Sequence, residues 1–458
     1  MIQEQITIFD FLCPKYKIKK PIRLIELFAG YGSQYLALKY LGANVKHYKI
    51  CEWAAKSIQA YNDLHIQDYF DYSGDLSDDN ILKVLVELGV SINYNEPATR
   101  EQLKRQNFRK IYNNIIATNN LVNIQNAKGE DFKIVDKDQY DYIMTYSFPC
   151  QDLSLAGKGK GMADTSTRSG MLWEVERILN ELKLTNSLPQ ILLMENVPQV
   201  HGSDNVEHFN KWQLALENMG YKNYFQDLIA TDYGIPQTRN RCFMISILGD
   251  YSYNFPKPIP LELKLKDLLE KEVDEKYYLS DKMTKYYLSN SKETENYIEW
   301  KEKGRLDIDC RTYKEEKNVG TITTTPKIKI ITNAGNKPTD NFVYNKKLKE
   351  TLEQNKIKQD ISFVDSYNKK IRDDGLSSTI TTRINDSNNT FIVENKISNR
   401  LRIRKLTPCE VFRLMGVKDE DYYKVAKNQS NSSLYHLGGD SIVVDVLMAI
   451  FKEMIEQK

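Results

Sequence analysis

Residues 22–53 read IRLIELFAGYGSQYLALKYLGANVKHYKICEW. An apolar run ends at Leu27, a Gly-x-Gly turn follows at Gly30 and Gly32, and a helical pattern (QYLALKYLG) leads to a second apolar run that stops at Glu52. Strand, glycine turn, helix and strand in this order open a doubly wound sheet, where glycines let the backbone approach a ligand at the carboxyl edge. An acidic residue about twenty positions past such glycines is suited to accept from a ribose diol. Trp53 beside it could stack on a purine. Taken alone, the turn is shared by many nucleotide binders and by plain structural turns.

The alternation continues to residue 248, with further strands expected at YDYIMTYS, QILLMEN and RCFMISIL and a helix at VEHFNKWQLALENMG. The fold class expected is α/β: a doubly wound, Rossmann-like domain over residues 1–255, whose parallel sheet is wrapped by helices. Residues 92–140, rich in Asn, Lys and Gln, stand where a short connection belongs and read as an insertion. From residue 256 to 398 the chain turns to Lys, Asn, Thr and Tyr with short β-like runs, a second, smaller, mixed β-containing domain. Within it NVGTITTT (318–325) and GLSSTITT (375–382) read either as alternating Thr-rich strands or as hydroxyls placed on phosphates. Residues 399–458 read as a return to the first domain. There RLRIRKLTPCEVFRLMGV and SSLYHLGGDSIVVDVLMAIFKEMI look like two amphipathic helices, the first opened by Thr407 and Pro408.

With 41% hydrophobic and 28% charged residues over 458 positions and a net charge of +2, the chain falls among globular proteins, outside the disordered and membrane classes. Any nucleic-acid surface has to be a local basic patch. No run approaches the roughly 18–20 apolar residues of a membrane span, and MIQEQITIFDFL lacks the marks of a signal peptide. A cytoplasmic protein is expected. The 6 cysteines show no CxxC pair and the 5 histidines no HExxH spacing, so the expectation is free thiols, no disulfide framework and no metal.

Chemistry concentrates at strand ends. In SFPCQDLS, Pro149 stops a strand and Cys150 lies at its carboxyl end, ahead of a Gly- and Lys-rich loop at 154–161. From position, Cys150 is either a reactive thiol or a buried core residue. Glu195 ends the strand ILLM in Glu-Asn-Val, where a carboxyl is placed to hold a proton. Arg239 and Arg241, in QTRNR, lie at the same edge and read as site groups or as ion-pair partners. Asp75 and Leu76, after Gly74, read as the end of a third strand with a carboxylate able to accept from an exocyclic amine, or as a plain turn.

Taken together these residues resemble the DNA cytosine-5 methyltransferase family. ELFAGYG, PCQDLS, ENV, QTRNR, RKLTPCEVFRLMG and GGDSIVVDV match its motifs in the family's order, with a variable region between the fourth and fifth. The resemblance implies S-adenosylmethionine as cofactor and a cytosine flipped out of duplex DNA as substrate. It makes Cys150 the nucleophile at carbon 6, gives Glu195 the ring nitrogen 3 and Arg241 oxygen 2, and has Arg239 brace the site. It puts Phe28, Ala29, Gly30 and Gly32 around the methionine part, Glu52 on the ribose, Trp53 and Asp75 on the adenine, with Leu76, Pro149, Leu172 and Ser441 also on the cofactor side. Two positions depart from the pattern: Glu26 stands where Asp is common, and Asp440 where Asn is usual. Residues 256–398 become the target-recognition domain reading the major groove. The partner implied is duplex DNA, for a monomer without metal or membrane, with a restriction endonuclease as a genetic partner only or none. A tRNA cytosine-5 methyltransferase and a catalytically inactive DNA-binding relative are the alternatives.

Overall fold

The computed structural model describes residues 13–149, 169–280 and 404–455, and between them the backbone of the strands within 291–403. The chain divides into two compact units: residues 1–228, 240–257 and 446–458 form one, residues 229–239 and 258–445 the other. These limits differ from the sequence boundaries at 256 and 399, since the second unit takes in 229–239 and keeps the chain through Asp445.

In chain order the elements are β1 (Ile22–Leu27), α1 (Ser33–Tyr40), β2 (Val45–Cys51), α2 (Ala55–Tyr61), α3 (Asp78–Leu88), α4 (Arg100–Lys104), α5 (Phe108–Ala117), β3 (Asp141–Tyr146), α6 (Leu172–Leu184), β4 (Ile191–Asn196), α7 (Val206–Asn218), β5 (Tyr221–Ile229), β6 (Gln237–Thr238) and β7 (Asn240–Leu248). All but β6 build the first unit around a six-stranded sheet of order β2-β1-β3-β4-β7-β5. Strands β1 to β4 pair in parallel, whereas β7 runs antiparallel to β4. The sheet is therefore mixed, not wholly parallel as expected. Parallel neighbours need a connection of about a dozen residues or more, and only residues 230–239 separate β5 from β7.

Every residue of β3 and β4 is buried, which requires cover on both faces. Leu179 and Leu182 of α6 and Trp212 of α7 pack with Tyr142, Met144 and Tyr146 in one core. Trp212 also donates its indole N–H to the Tyr146 hydroxyl at 3.2 Å, so neither buried polar atom is stranded. Each such side chain contributes about 1.5–3 kcal/mol by leaving water.

Residues 92–140 are more than a connection. Helices α2 to α5 enclose a second core of Ile58, Ile81, Leu85, Leu103 and Ile115. The segment then reaches the sheet edge beyond β2, where Asn120 bridges Ile50 in parallel and the Leu121 amide donates to the Ile50 carbonyl at 2.9 Å. That edge had been expected of residues 74–76. They lie instead in and after an exposed turn that leads into α3, and form no strand.

In the second unit the two TITT segments are strands that pair with each other in parallel, from Asn318 opposite Gly375 to Thr324 opposite Thr381. Strand β6 joins both. A five-stranded sheet contains Lys327–Asn333, Ile361–Asp365, Lys370–Arg372, Thr390–Glu394 and Leu401–Lys405. Leu401–Lys405, within the stretch read as helical ahead of the Thr407–Pro408 cap, is thus a strand; its alternation of charged and apolar residues has period two. Helix α8 (Pro408–Leu414) begins where the Thr407–Pro408 cap was read, with Thr407 and Glu410 closing a capping box. Helix α9 (Asp419–Ala426) follows. The last stretch is two helices, α10 (Asn431–Asp440) and α11 (Val444–Lys452), interrupted at 441–443. Together they are long and apolar enough to cross a membrane, yet 67% of the apolar window is buried by the protein itself, as in a core helix.

Candidate active site

The turn after β1 is built for left-handed backbone. Phe28, Gly30 and Gly32 have φ of 57°, 55° and 83°, and Phe28 bears a side chain in a region that favours glycine. Gly32 has a second constraint, because a Cβ there would meet His65 Nε2 at 2.5 Å and Tyr61 Cε2 at 2.6 Å. A Cβ at Gly30 would meet nothing, so the space over that residue is open. His65 steadies the turn through a 2.8 Å hydrogen bond from Nε2 to the Tyr31 carbonyl. Burial drives its pKa well below the usual value, so the ring is neutral.

Glu52 follows β2 and reaches back to the turn. Its Oε2 accepts from the Gly30 amide at 2.8 Å and Oε1 from the Ala54 amide at 2.7 Å. The Asn120 side chain grips the Glu52 backbone, accepting from its N–H at 3.0 Å and donating to its carbonyl at 2.8 Å. Sequence reasoning missed Asn120, because nothing in a polar insertion marks one Asn as the partner of a strand end. Trp53 is half-buried beside Glu52. Asp75 is exposed in its turn and Leu76 is 40% exposed. The segment that edges β2 in their place is the one Asn120 opens; three residues on, the buried Asn123 side chain accepts from the Gln125 amide at 3.0 Å. Ala29 is buried within the turn and Leu172 is fully buried in the main core.

Glu26, the departure noted in the first motif, is wholly buried at the end of β1. Tyr61 donates to its Oε2 at 2.6 Å and the Tyr35 amide to its Oε1 at 3.2 Å. Burial outweighs these bonds and pushes the carboxyl up to about 7.

The ends of β3 and β4 and the start of β7 bring the second group of expected residues together. Arg241 Nε lies 3.1 Å from Glu195 Oε1, both largely buried. The Ser147 hydroxyl donates to the other oxygen of the same carboxylate. Asn196 Nδ2 donates to the Phe148 carbonyl at 3.0 Å, which ties the chain just ahead of Pro149 to β4. Cys150 and the loop 154–161 lie outside the described residues. Ser147 and Asn196 were not singled out from sequence, although both stand inside motifs that were.

In the second unit, Arg239 is buried and donates from Nη2 to the Ser441 carbonyl at 2.8 Å, while the Ser441 hydroxyl donates to the Gly438 carbonyl at 3.0 Å. The expected brace and the expected cofactor-side serine are thus in contact with each other.

The model of the family C-5 cytosine-specific DNA methylase matches residues 99–456. The chain belongs to this family. As a C-5 cytosine-specific DNA methylase it is 32% identical, over 95% of its own length and all of the relative's, to the type II methyltransferase M2.ScrFI of Lactococcus lactis subsp. cremoris. It is 35% identical to the orphan methyltransferase M.SssI of Spiroplasma monobiae, over 61% of this chain and 72% of that one. Among solved structures, the S. pombe Dnmt2 methyltransferase aligns over 94% of this methylase and 97% of its own chain with a TM-score of 0.52 at 15% identity. A Spodoptera frugiperda DNMT2 aligns over 94% and 99% with a TM-score of 0.53 at 17% identity. At those identities the structures support the α/β fold alone.

Proposed function

We propose that this methylase uses S-adenosylmethionine to methylate carbon 5 of a cytosine turned out of duplex DNA, through a covalent adduct with Cys150. The observation that carries the reading is the Glu195–Arg241 pair at the carboxyl edge, held by Ser147 three residues before the nucleophile.

The turn fits the cofactor: left-handed glycines, open space over Gly30 and a carboxylate at Glu52 suit a nucleoside with a flexible amino-acid tail. Phe28, Ala29, Gly30 and Gly32 would hold the methionine part, Glu52 the ribose and Trp53 the adenine face. For the adenine edge we assign the segment beside β2 that Asn120 opens, in preference to the exposed turn that holds Asp75. Pro149, Leu172 and Ser441 remain cofactor-side assignments. Once bound, S-adenosylmethionine supplies a methyl group activated by its sulfonium sulfur.

Cytosine is a poor nucleophile at carbon 5. Sulfur addition from Cys150 to carbon 6 breaks the 5,6 double bond and moves electron density onto carbon 5. Glu195 hydrogen-bonds nitrogen 3 and Arg241 oxygen 2, which stabilises the charge that addition pushes into the ring, with Arg239 as the brace. Loss of the carbon 5 proton and departure of the Cys150 sulfur restore aromaticity. Turning the base out costs a few kcal/mol; the loop at 154–161 is assigned to cover it. Residues 256–398 are assigned to reading the target sequence.

The test is transfer of labelled methyl from S-adenosylmethionine to mixed-sequence duplex DNA and to tRNA. The wild type is expected to label DNA, folded Cys150→Ala to label nothing, and Glu195→Gln to lose about 10²–10⁴-fold in kcat. Labelling by Cys150→Ala, or of tRNA alone, would overturn the reading.

A further inference from the structure

Three side chains outside the Glu195–Arg241 pair converge from separate elements. They are His201, at the end of the 3-10 turn Pro198–His201, Asp227 in β5 and Cys242 in β7. Their imidazole nitrogen, carboxylate oxygen and thiol sulfur all lie within 4.8 Å of one another. His201 Nε2 is 2.8 Å from Asp227 Oδ1, and the Cys242 sulfur lies within 4.8 Å of the same two residues' ligand atoms. A single carboxylate thus stands beside both neighbours.

We propose that His201, Asp227 and Cys242 form a binding site for a thiophilic divalent cation of the zinc class. The donor set of one nitrogen, one oxygen and one sulfur is the mixture such ions take, at bond lengths of about 2.0–2.3 Å. Small closing movements of three side chains already turned towards a common point supply that geometry. The site is reachable, with the His201 and Asp227 side chains 30% and 31% exposed in front of the fully buried Cys242. The imidazole is held in place by its neighbours, its ring 6.0 Å from that of Phe209 and 5.5 Å from that of Phe225. Three protein donors leave the fourth tetrahedral position to water.

Binding exchanges the S–H bond of Cys242 for a sulfur–metal bond and releases that proton to solvent. In the bound state the imidazole presents the Nε2 lone pair with its proton on Nδ1, and the cation keeps its oxidation state. Burial holds the Cys242 thiol protonated without an ion, so the ion itself must displace the proton. The position gives the ion a consequence: Cys242 pairs with Asn196 across the sheet and directly follows Arg241. A bound cation would clip together the strand ends that carry Glu195 and Arg241.

The experiment is titration of the metal-free full-length enzyme with cobalt(II), followed by absorption and thermal unfolding. Stoichiometric appearance of a thiolate-to-cobalt charge-transfer band with a raised Tm is expected for the wild type. Loss of both effects is expected for Cys242→Val and for His201→Ala. His201→Ala keeps every thiol of the chain, so it separates this site from other cysteines and stands even if Cys242→Val folds poorly. No band in the wild type, or a band undiminished in His201→Ala, would sink the proposal.

Discussion

Glu195 has two unlike partners: it is ion-paired with the charged Arg241 and accepts from the neutral Ser147 hydroxyl. A guanidinium can only donate, whereas a hydroxyl can donate to a carboxylate or accept from a carboxylic acid. Ser147 is therefore suited to hold Glu195 in either protonation state as a cytosine engages it. Replacing Ser147 with Ala is expected to lower kcat about tenfold or more, the worth of a hydrogen bond to a charged group, with the KM for S-adenosylmethionine unchanged. Ser147→Thr should restore most of the rate; equal rates for the Ala and Thr variants would assign the hydroxyl no part. A second residue prediction concerns Glu26. Its carboxyl rises from the ordinary 4.5 to about 7 on folding, so the folded state favours the proton. This contribution is complete below pH 4.5 and is lost as pH rises through about 7, on the order of 3 kcal/mol in all. Urea unfolding across that range should show Glu26→Gln losing less stability than the wild type as pH rises, and parallel curves would refute the assignment.

At the scale of elements, the turn after β1 is the part most legible in sequence, because its demand is local. Left-handed backbone asks for glycine whatever packs around it. Yet Gly30 and Gly32 are not equivalent. Gly30→Ala meets only the conformational penalty, on the order of 1 kcal/mol, whereas Gly32→Ala also drives a methyl into His65 and Tyr61. Calorimetry should find Gly32→Ala the less stable by about 1–3 kcal/mol, with the weaker affinity for S-adenosylmethionine; matched variants would contradict the packing account. Other elements could not be read locally. Asp75 follows a glycine and looks like a strand end, but the edge beside β2 goes to Asn120, which the chain reaches only after α3, α4 and α5. RLRIRK adjoins a well-marked helix start, and its period-two alternation becomes decisive only when Leu401–Lys405 finds neighbours in a sheet.

For the molecule as a whole, the chain's end belongs to the unit where it began. Ile18 bridges Ile455, the Lys17 ammonium donates to the Glu453 carbonyl at 3.0 Å, and the Tyr253 hydroxyl to that of Ile450 at 3.1 Å. Leu447, Ile450, Phe451 and Met454 are all fully buried. Ending the chain after Asp445 removes four such side chains, each worth about 1.5–3 kcal/mol. Cooperative thermal unfolding should then vanish or fall sharply in Tm, and an unchanged transition would show the segment to be dispensable. By itself the sequence determined the family, the α/β class, the glycine turn and the order of the chemical motifs, because each rests on short-range spacing that a linear chain displays. Tertiary structure alone decided the antiparallel course of β7, the segment that edges β2, the Ser147 hold on Glu195 and the meeting of His201, Asp227 and Cys242. These depend on residues far apart in sequence whose proximity follows from burial and hydrogen bonding across the fold, which no local pattern encodes.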